Sequence, residues 1–194
     1  TPLMELKQSE HALVFIDVDL GGETQRYFLP ITARWGEENL QSGAPKLSYT
    51  LAKIRRGAKV GALIDGAYDE SLAQTLLTNM REGGAFAASD GEVSFRGGEL
   101  LSAITELGAS RPLGVEQSNV SIAFGDQVIL KLYRRLRAGE QPDVEVARFL
   151  TEEAGFTNTP AFMGSIEHQA GNDELTTLAA AFAFVPNQGD AWAA

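Results

Sequence analysis

The chain contains no cysteine, which removes disulfides, thiolate nucleophiles and cysteine-ligated zinc together. Positive charge is scarce: 16 lysines and arginines face 26 aspartates and glutamates, a formal net charge of −10. Nucleic-acid backbones and anionic membrane surfaces attract clustered cations, so neither is expected as the main partner. Long apolar runs are missing. The most apolar late stretch, 177–185, is far too short to span a bilayer and reads as a buried strand. The opening TPLMELKQSEH lacks the basic segment and apolar run of a signal peptide. A cysteine-free chain suits a reducing compartment, and the cytoplasm is the expected location.

What remains is an ordinary globular composition, with 194 residues, 44% hydrophobic and 22% charged, enough for one domain or two small ones. Residues 11–33, HALVFIDVDLGGETQRYFLPITA, read as a hairpin turning at Gly21-Gly22. In YDESLAQTLLTNMREGG, Leu72, Leu76, Leu77 and Met80 fall at helical spacing between an acidic first turn and a terminal glycine. DGEVSFRGG alternates Val93 and Phe95 as a strand. GELLSAITELG then places Leu100, Leu101, Ile104 and Leu107 on one helical face. The polar GASRP, Gly108 to Pro112, is taken as a linker. The expected organisation is therefore α+β in two parts, residues 1–107 and 108–194.

In the second part, Gly125-Asp126 is a two-residue hairpin signal between 121–124 and 127–133. QPDVEVARFLTEEAG reads as a helix, with Pro142 in its first turn, Asp143 and Glu145 at its positive end and Gly155 after its last turn. Along 128–133, Val128, Leu130 and Leu132 share one strand face and Ile129, Lys131 and Tyr133 the other. An unpaired buried ammonium costs several kcal/mol, so a covered Lys131 requires an anion. Glu145 on the following helix is one candidate, a ligand phosphate another, and the two could share it. An edge-strand lysine snorkelling to water is the alternative. Upstream, EQSNVS supplies a turn whose small Ser118 and Asn119 let backbone N–H groups approach an anion; a plain hairpin loop would look the same.

The order strand, polar turn, strand, Gly-Asp turn, lysine strand, linker and acid-started helix is that of a protein-kinase-like N-lobe. A G-x-G-x-x-G loop is absent, which points to small-molecule kinases. GVEQSNVSIAFGDQVILKLYRRLRAGEQPDVEVARFL together with FVPNQGDAW resembles bacterial maltokinase, free-standing or fused to trehalose synthase, and YFLP and GALIDGAYDE resemble that family's N-terminal cap. The resemblance implies a cap subdomain over 1–107, a sheet with packed helices, and an N-lobe-like intermediate subdomain over 108–194, an antiparallel sheet with one helix. It implies transfer of the ATP γ-phosphoryl group to the anomeric hydroxyl of maltose. Lys131 would bind phosphate, Glu145 would be its helix partner, and Gln117, Ser118, Asn119, Val120 and Ser121 would cover the phosphates. Ala183, Phe184 and Val185 would enter the hinge beside adenine.

The Mg²⁺ ligands and the acceptor carboxylate of such an enzyme belong to a C-terminal lobe, before which this chain is expected to end, so it should be inactive alone. A kinase for another sugar or amino sugar such as glucosamine is the rival reading, and a non-catalytic module docking trehalose synthase is a third. His11, at the start of a strand, and His168, in a polar loop, are expected to be structural or solvated. Asp17 and Asp19 share a strand face, an incomplete site for a hard metal ion.

Overall fold

The computed structural model describes residues 2–6, 9–114, 118–171 and 175–186. Alternation of apolar and polar residues produces β1 (Pro2–Glu5), β2 (His11–Asp19) and β3 (Thr24–Trp35), with β2 and β3 forming the expected hairpin. Both turn glycines adopt positive φ, 84° at Gly21 and 119° at Gly22, a region open to residues without a Cβ. β4 (Thr50–Arg56) and β5 (Lys59–Asp65) complete a five-stranded antiparallel sheet in the order β1-β2-β3-β5-β4. Helix α1 (Glu70–Glu82) follows and buries Leu72, Ala73, Leu76, Leu77 and Met80, the stripe its periodicity predicts.

The second sheet is built from β6 (Gly84–Ala87), β7 (Glu92–Gly97), β8 (Ser110–Pro112), β9 (Asn119–Phe124), β10 (Val128–Tyr133), β11 (Phe162–Gln169) and β12 (Thr176–Ala183). Its order is β6-β7-β11-β12-β10-β9-β8. Short helix α2 (Glu99–Ser102) precedes β8, and α3 (Pro142–Arg148) lies between β10 and β11, continuing through a wider π turn at Phe149–Glu153. The protein is thus α+β, with two antiparallel sheets and few helices.

Three expectations change here. The division at 107/108 does not separate the sheets, because β7, from the first part, pairs with β11, from the second. Gly97 explains the closeness: a Cβ there would lie 2.5 Å from the Met80 carbonyl oxygen, so α1 packs directly on β7. The supposed linker GASRP contains β8, which pairs with β9, and a Cβ on Gly108 would come within 2.8 Å of Gly125. The helix expected over 98–108 closes after one turn, burying Leu101 and leaving Leu100 55% exposed. There Gly98 donates its N–H to the Met163 carbonyl at 2.8 Å, so docking on β11 sets where the helix begins.

The chain beyond β10 ties the two sheets together. Phe28 donates its N–H to the Arg134 carbonyl at 2.8 Å, and Leu136 donates to Arg26 at 2.9 Å. Arg134 also forms an ion pair with Asp65 at 2.5 Å, their side chains only 15% and 17% exposed. Breaking a largely buried pair from one side strands the other charge. Asp65→Ala is therefore expected to cost about 2–3 kcal/mol in denaturant unfolding, whereas removing the exposed Arg26–Asp17 pair with Asp17→Ala should cost under about 1 kcal/mol.

Candidate functional site

The strand alternation of β10 decides what the site is made of. Val128, Leu130 and Leu132 are fully buried, and Ile129, Lys131 and Tyr133 face the other way, toward α3. Cross-strand pairing sets Lys131 between Ser121 of β9 and Ala180 of β12. Small residues on both sides leave the lysine stem room to stand up from the sheet. It rises into a cleft of about 440 Å³ lined by Ser121, Ile129, Lys131, Asp143, Ala147 and Phe182, by the chain leaving β12 at Ala183, Phe184 and Val185, and by Leu113 beside β9.

Inside this cleft the ammonium meets a carboxylate at 2.8 Å, and the carboxylate is that of Asp143. Glu145, the partner expected from the helix, is exposed and does not line the cleft. Helical geometry gives the reason. Val144 and Ala147 are the buried residues of α3, and successive residues turn by about 100°. Asp143 then lies roughly 70° from the centre of the buried face and Glu145 about 130° from it. Periodicity alone does not select this face, because Val146 and Phe149, each 54% exposed, offer a competing apolar stripe on the same helix.

The Lys131 and Asp143 side chains are 25% and 42% exposed. An ion pair this wet is worth about 0–1 kcal/mol, so a phosphate oxygen can replace the carboxylate with little loss. Tyr133 completes the group. Its hydroxyl lies 3.0 Å from both Asp143 oxygens, and its ring lies 5.6 Å from the Lys131 ammonium. Tyr133 is 3% exposed.

The other expected site residues divide. Ser121, Lys131, Ala183, Phe184 and Val185 converge on the cleft. Asn119 sits at the start of β9 opposite Tyr133, on the same side as Ser121 by strand alternation. Val120 is 3% exposed and packs in the core. Ser118 is exposed and its carbonyl accepts from the Arg134 N–H at 2.9 Å. Gln117 lies outside the described residues. Backbone N–H groups of Ala183 and Phe184 are engaged with the carbonyls of Ala161 and Gln127, at 2.8 and 2.9 Å, which stiffens the strand exit beside the cleft.

His168 is corrected in its placement: it lies within β11, 3% exposed, edge-on to Phe15 with centroids 5.0 Å apart. His11 starts β2, with Nδ1 2.9 Å from Thr32 Oγ1. Burial is the largest influence on it and holds its pKa below the usual histidine value, while Asp69 pulls it up. Asp17 is bound by Arg26 at 2.7 and 2.9 Å, and Asp19 closes the Gly21 turn. Among the described residues no group of three potential metal ligands occurs, and no helix is long and apolar enough to cross a membrane. A recess of about 530 Å³ beside α2 includes Glu99 and Glu152 but no cation in its lining, a wider one of about 870 Å³ is lined by Arg26, Arg135 and Arg137 together with Glu23, and the Lys131 cleft sets its single cation among largely apolar walls.

No family model matches the sequence. Among solved structures, the fold matches a glucosamine kinase in complex with glucosamine, ADP and inorganic phosphate, with a TM-score of 0.58 and 17% identity over 98% of this chain. A second glucosamine kinase structure, in crystal form B, matches with a TM-score of 0.54 and 18% identity over 95% of this chain. The chain spans about a third of the length of these kinases, 36% and 35% respectively, and corresponds to their N-terminal region. At these identities the likeness is one of fold.

Proposed function

We propose that this chain is the N-terminal region of an ATP-dependent sugar kinase and that the Lys131 cleft receives the nucleotide. The observation that carries this reading is the display of one ammonium, on a strand between small residues, in an otherwise largely apolar cleft ending at Ala183–Val185. The apolar wall of Leu113, Ile129, Phe182 and Val185 suits a planar base. Lys131, one strand over from Ser121, would meet phosphate oxygens, with Asn119 and Ser121 on the same strand face beside them. Phosphoryl transfer draws mainly on positioning and charge stabilisation, and Lys131 would supply the second of these from this region. Mg²⁺ would be held by carboxylates or amides of a C-terminal lobe.

For the acceptor, the resemblance to maltokinase favours the anomeric hydroxyl of maltose, with trehalose synthase as a partner in cis or in trans. Glucosamine is the second reading, because the fold matches glucosamine kinases and one of them holds glucosamine and ADP. Amide shifts during ATP titration of the chain test the site. We expect binding in the millimolar range, about −4 kcal/mol, with shifts at Ser118–Ser121, around Lys131 and at Ala183–Val185. Shifts confined to β1–β5 and α1, or none at 10-fold that concentration, would sink the assignment. Phosphorylation of maltose against glucosamine by a chain extended through its C-terminal lobe decides the acceptor.

A further inference from the structure

Resting on the nucleotide reading above, we propose that Tyr133 is the positioning residue of this site, holding the Asp143 carboxylate in place while Lys131 moves between that carboxylate and a phosphate. The Lys131–Asp143 pair has a weakness that the geometry exposes. Both side chains are partly in water, and the lysine stem has four rotatable bonds, so a lone pair of this kind does not fix either partner. When Lys131 turns toward a phosphate, Asp143 would lose the one ion pair it makes among the described residues and, unless held, could swing into the cleft, where it would repel the incoming anion.

Tyr133 prevents this. It shares the strand face of Lys131 and lies two residues further along β10, so both side chains rise toward α3 from one rigid strand. Its ring is buried and its hydroxyl sits 3.0 Å from Oδ1 and 3.0 Å from Oδ2 of Asp143. A hydrogen bond from a buried phenol to a carboxylate is charge-assisted, and its donor is held by a ring packed in the core, so it outlasts a pair made by a flexible, partly exposed ammonium. Lys131 takes only Oδ2, at 2.8 Å, so the phenol can retain Asp143 through Oδ1 after the ammonium leaves. The lysine is guided from a third side by the Tyr133 ring, 5.6 Å from Nζ. Asp143 stands in the first turn of α3, so the phenol also pins the start of that helix to the sheet.

The test compares the chain with Tyr133→Phe, which keeps the ring and deletes the hydroxyl, Asp143→Asn, and the double variant. Two readouts are taken. The first needs no ligand: the nitrogen-15-bound ammonium signal of Lys131, protected from exchange by its pair with Asp143, should be present in the wild type and lost or broadened in Tyr133→Phe. The second is binding of ATP against adenosine. ATP affinity should fall roughly three- to tenfold in Tyr133→Phe with adenosine affinity unchanged, and adding Tyr133→Phe to Asp143→Asn should change nothing more, since the phenol acts through Asp143. Equal loss of ATP and adenosine affinity would assign Tyr133 a merely structural role and overturn the proposal. An unchanged ammonium signal in Tyr133→Phe, no protected ammonium in the wild type, or additive effects in the double variant would overturn it too. Should the wild type bind neither ATP nor adenosine, the nucleotide reading falls, and the ammonium signal still decides whether Tyr133 positions the pair. If Tyr133→Phe fails to fold, Asp143→Asn read by the ammonium signal decides whether a fixed pair exists to be positioned.

Discussion

On the proposed kinase reading, Lys131→Ala in a chain extended through its C-terminal lobe is expected to slow phosphoryl transfer a hundredfold to a thousandfold while barely changing the melting temperature. Deleting one preorganised charge-stabilising group typically costs about 2.7–4 kcal/mol of transition-state stabilisation. Among the described residues lining the cleft, Lys131 is the one cation. The folding cost should be small for the same reason that the pair is exchangeable. Asp143 is 42% exposed and retains its Tyr133 contact, so losing the ammonium leaves no stranded buried charge. The loss should appear mainly in kcat, because the developing charge is greatest in the transition state. Near-normal turnover by Lys131→Ala would mean that the strand lysine does not meet phosphate. A melting temperature lowered by more than about 4 °C, the shift expected from 1 kcal/mol in a domain of this size, would make it a structural lysine.

Asp69→Ala should have the largest effect on stability, about 3 kcal/mol, through loss of the start of α1. Asp69 precedes the helix with its side chain fully buried, and its Oδ1 accepts from the Ser71 and Leu72 N–H groups at 3.0 and 3.2 Å. Oδ2 accepts from Arg34 Nε at 2.7 Å. Alanine leaves those donors unsatisfied, under a helix whose buried stripe joins the common core. At roughly 2–4 °C per kcal/mol, the melting temperature should fall by about 6–12 °C.

The pH dependence has a fixed sign. Burial is the largest influence on the Asp69 carboxyl and pushes its pKa up, but the Ser71 hydroxyl, Arg34 and the Leu72 N–H together outweigh it and hold the group below the usual carboxylate range. A depressed folded pKa contributes stability that is complete above the unfolded value, about 3.9, and is lost as pH falls through the folded one. Wild type and Asp69→Ala should therefore melt closer together at pH 2 than at pH 7. A constant difference across that range would show that the capping charge contributes nothing.

Periodic elements were legible without any structure. Leu72, Leu76, Leu77 and Met80 all enter the core because a helical stripe has one way to bury itself, and Lys131 rises from the face that alternation assigns to it because side-chain direction in a strand is local geometry. The hairpins at Gly21-Gly22 and Gly125-Asp126 formed for similar reasons. GASRP was misread because a three-residue edge strand carries too little pattern to show itself; only β9 beside it makes Ser110–Pro112 a strand. His168 was misplaced likewise: a polar residue in a polar run gains a buried site only when Phe15 and the strands around it close over it.

What the chain determined by itself was which residues can share a face: helix stripes, strand alternation, turns, and hence an ammonium raised beside Ser121 and followed by an acid-started helix. Which carboxylate that ammonium meets was decided by tertiary structure. Docking buried Val144 and Ala147, turned Asp143 inward and left Glu145 in water. The joining of the two halves was also tertiary. Pairing of β7 with β11, and of the chain after β10 with β3, depends on contacts between residues far apart in sequence. Periodicity is a property of near neighbours, whereas the partner of a sheet edge or of a charge is selected by whatever the rest of the fold brings to it.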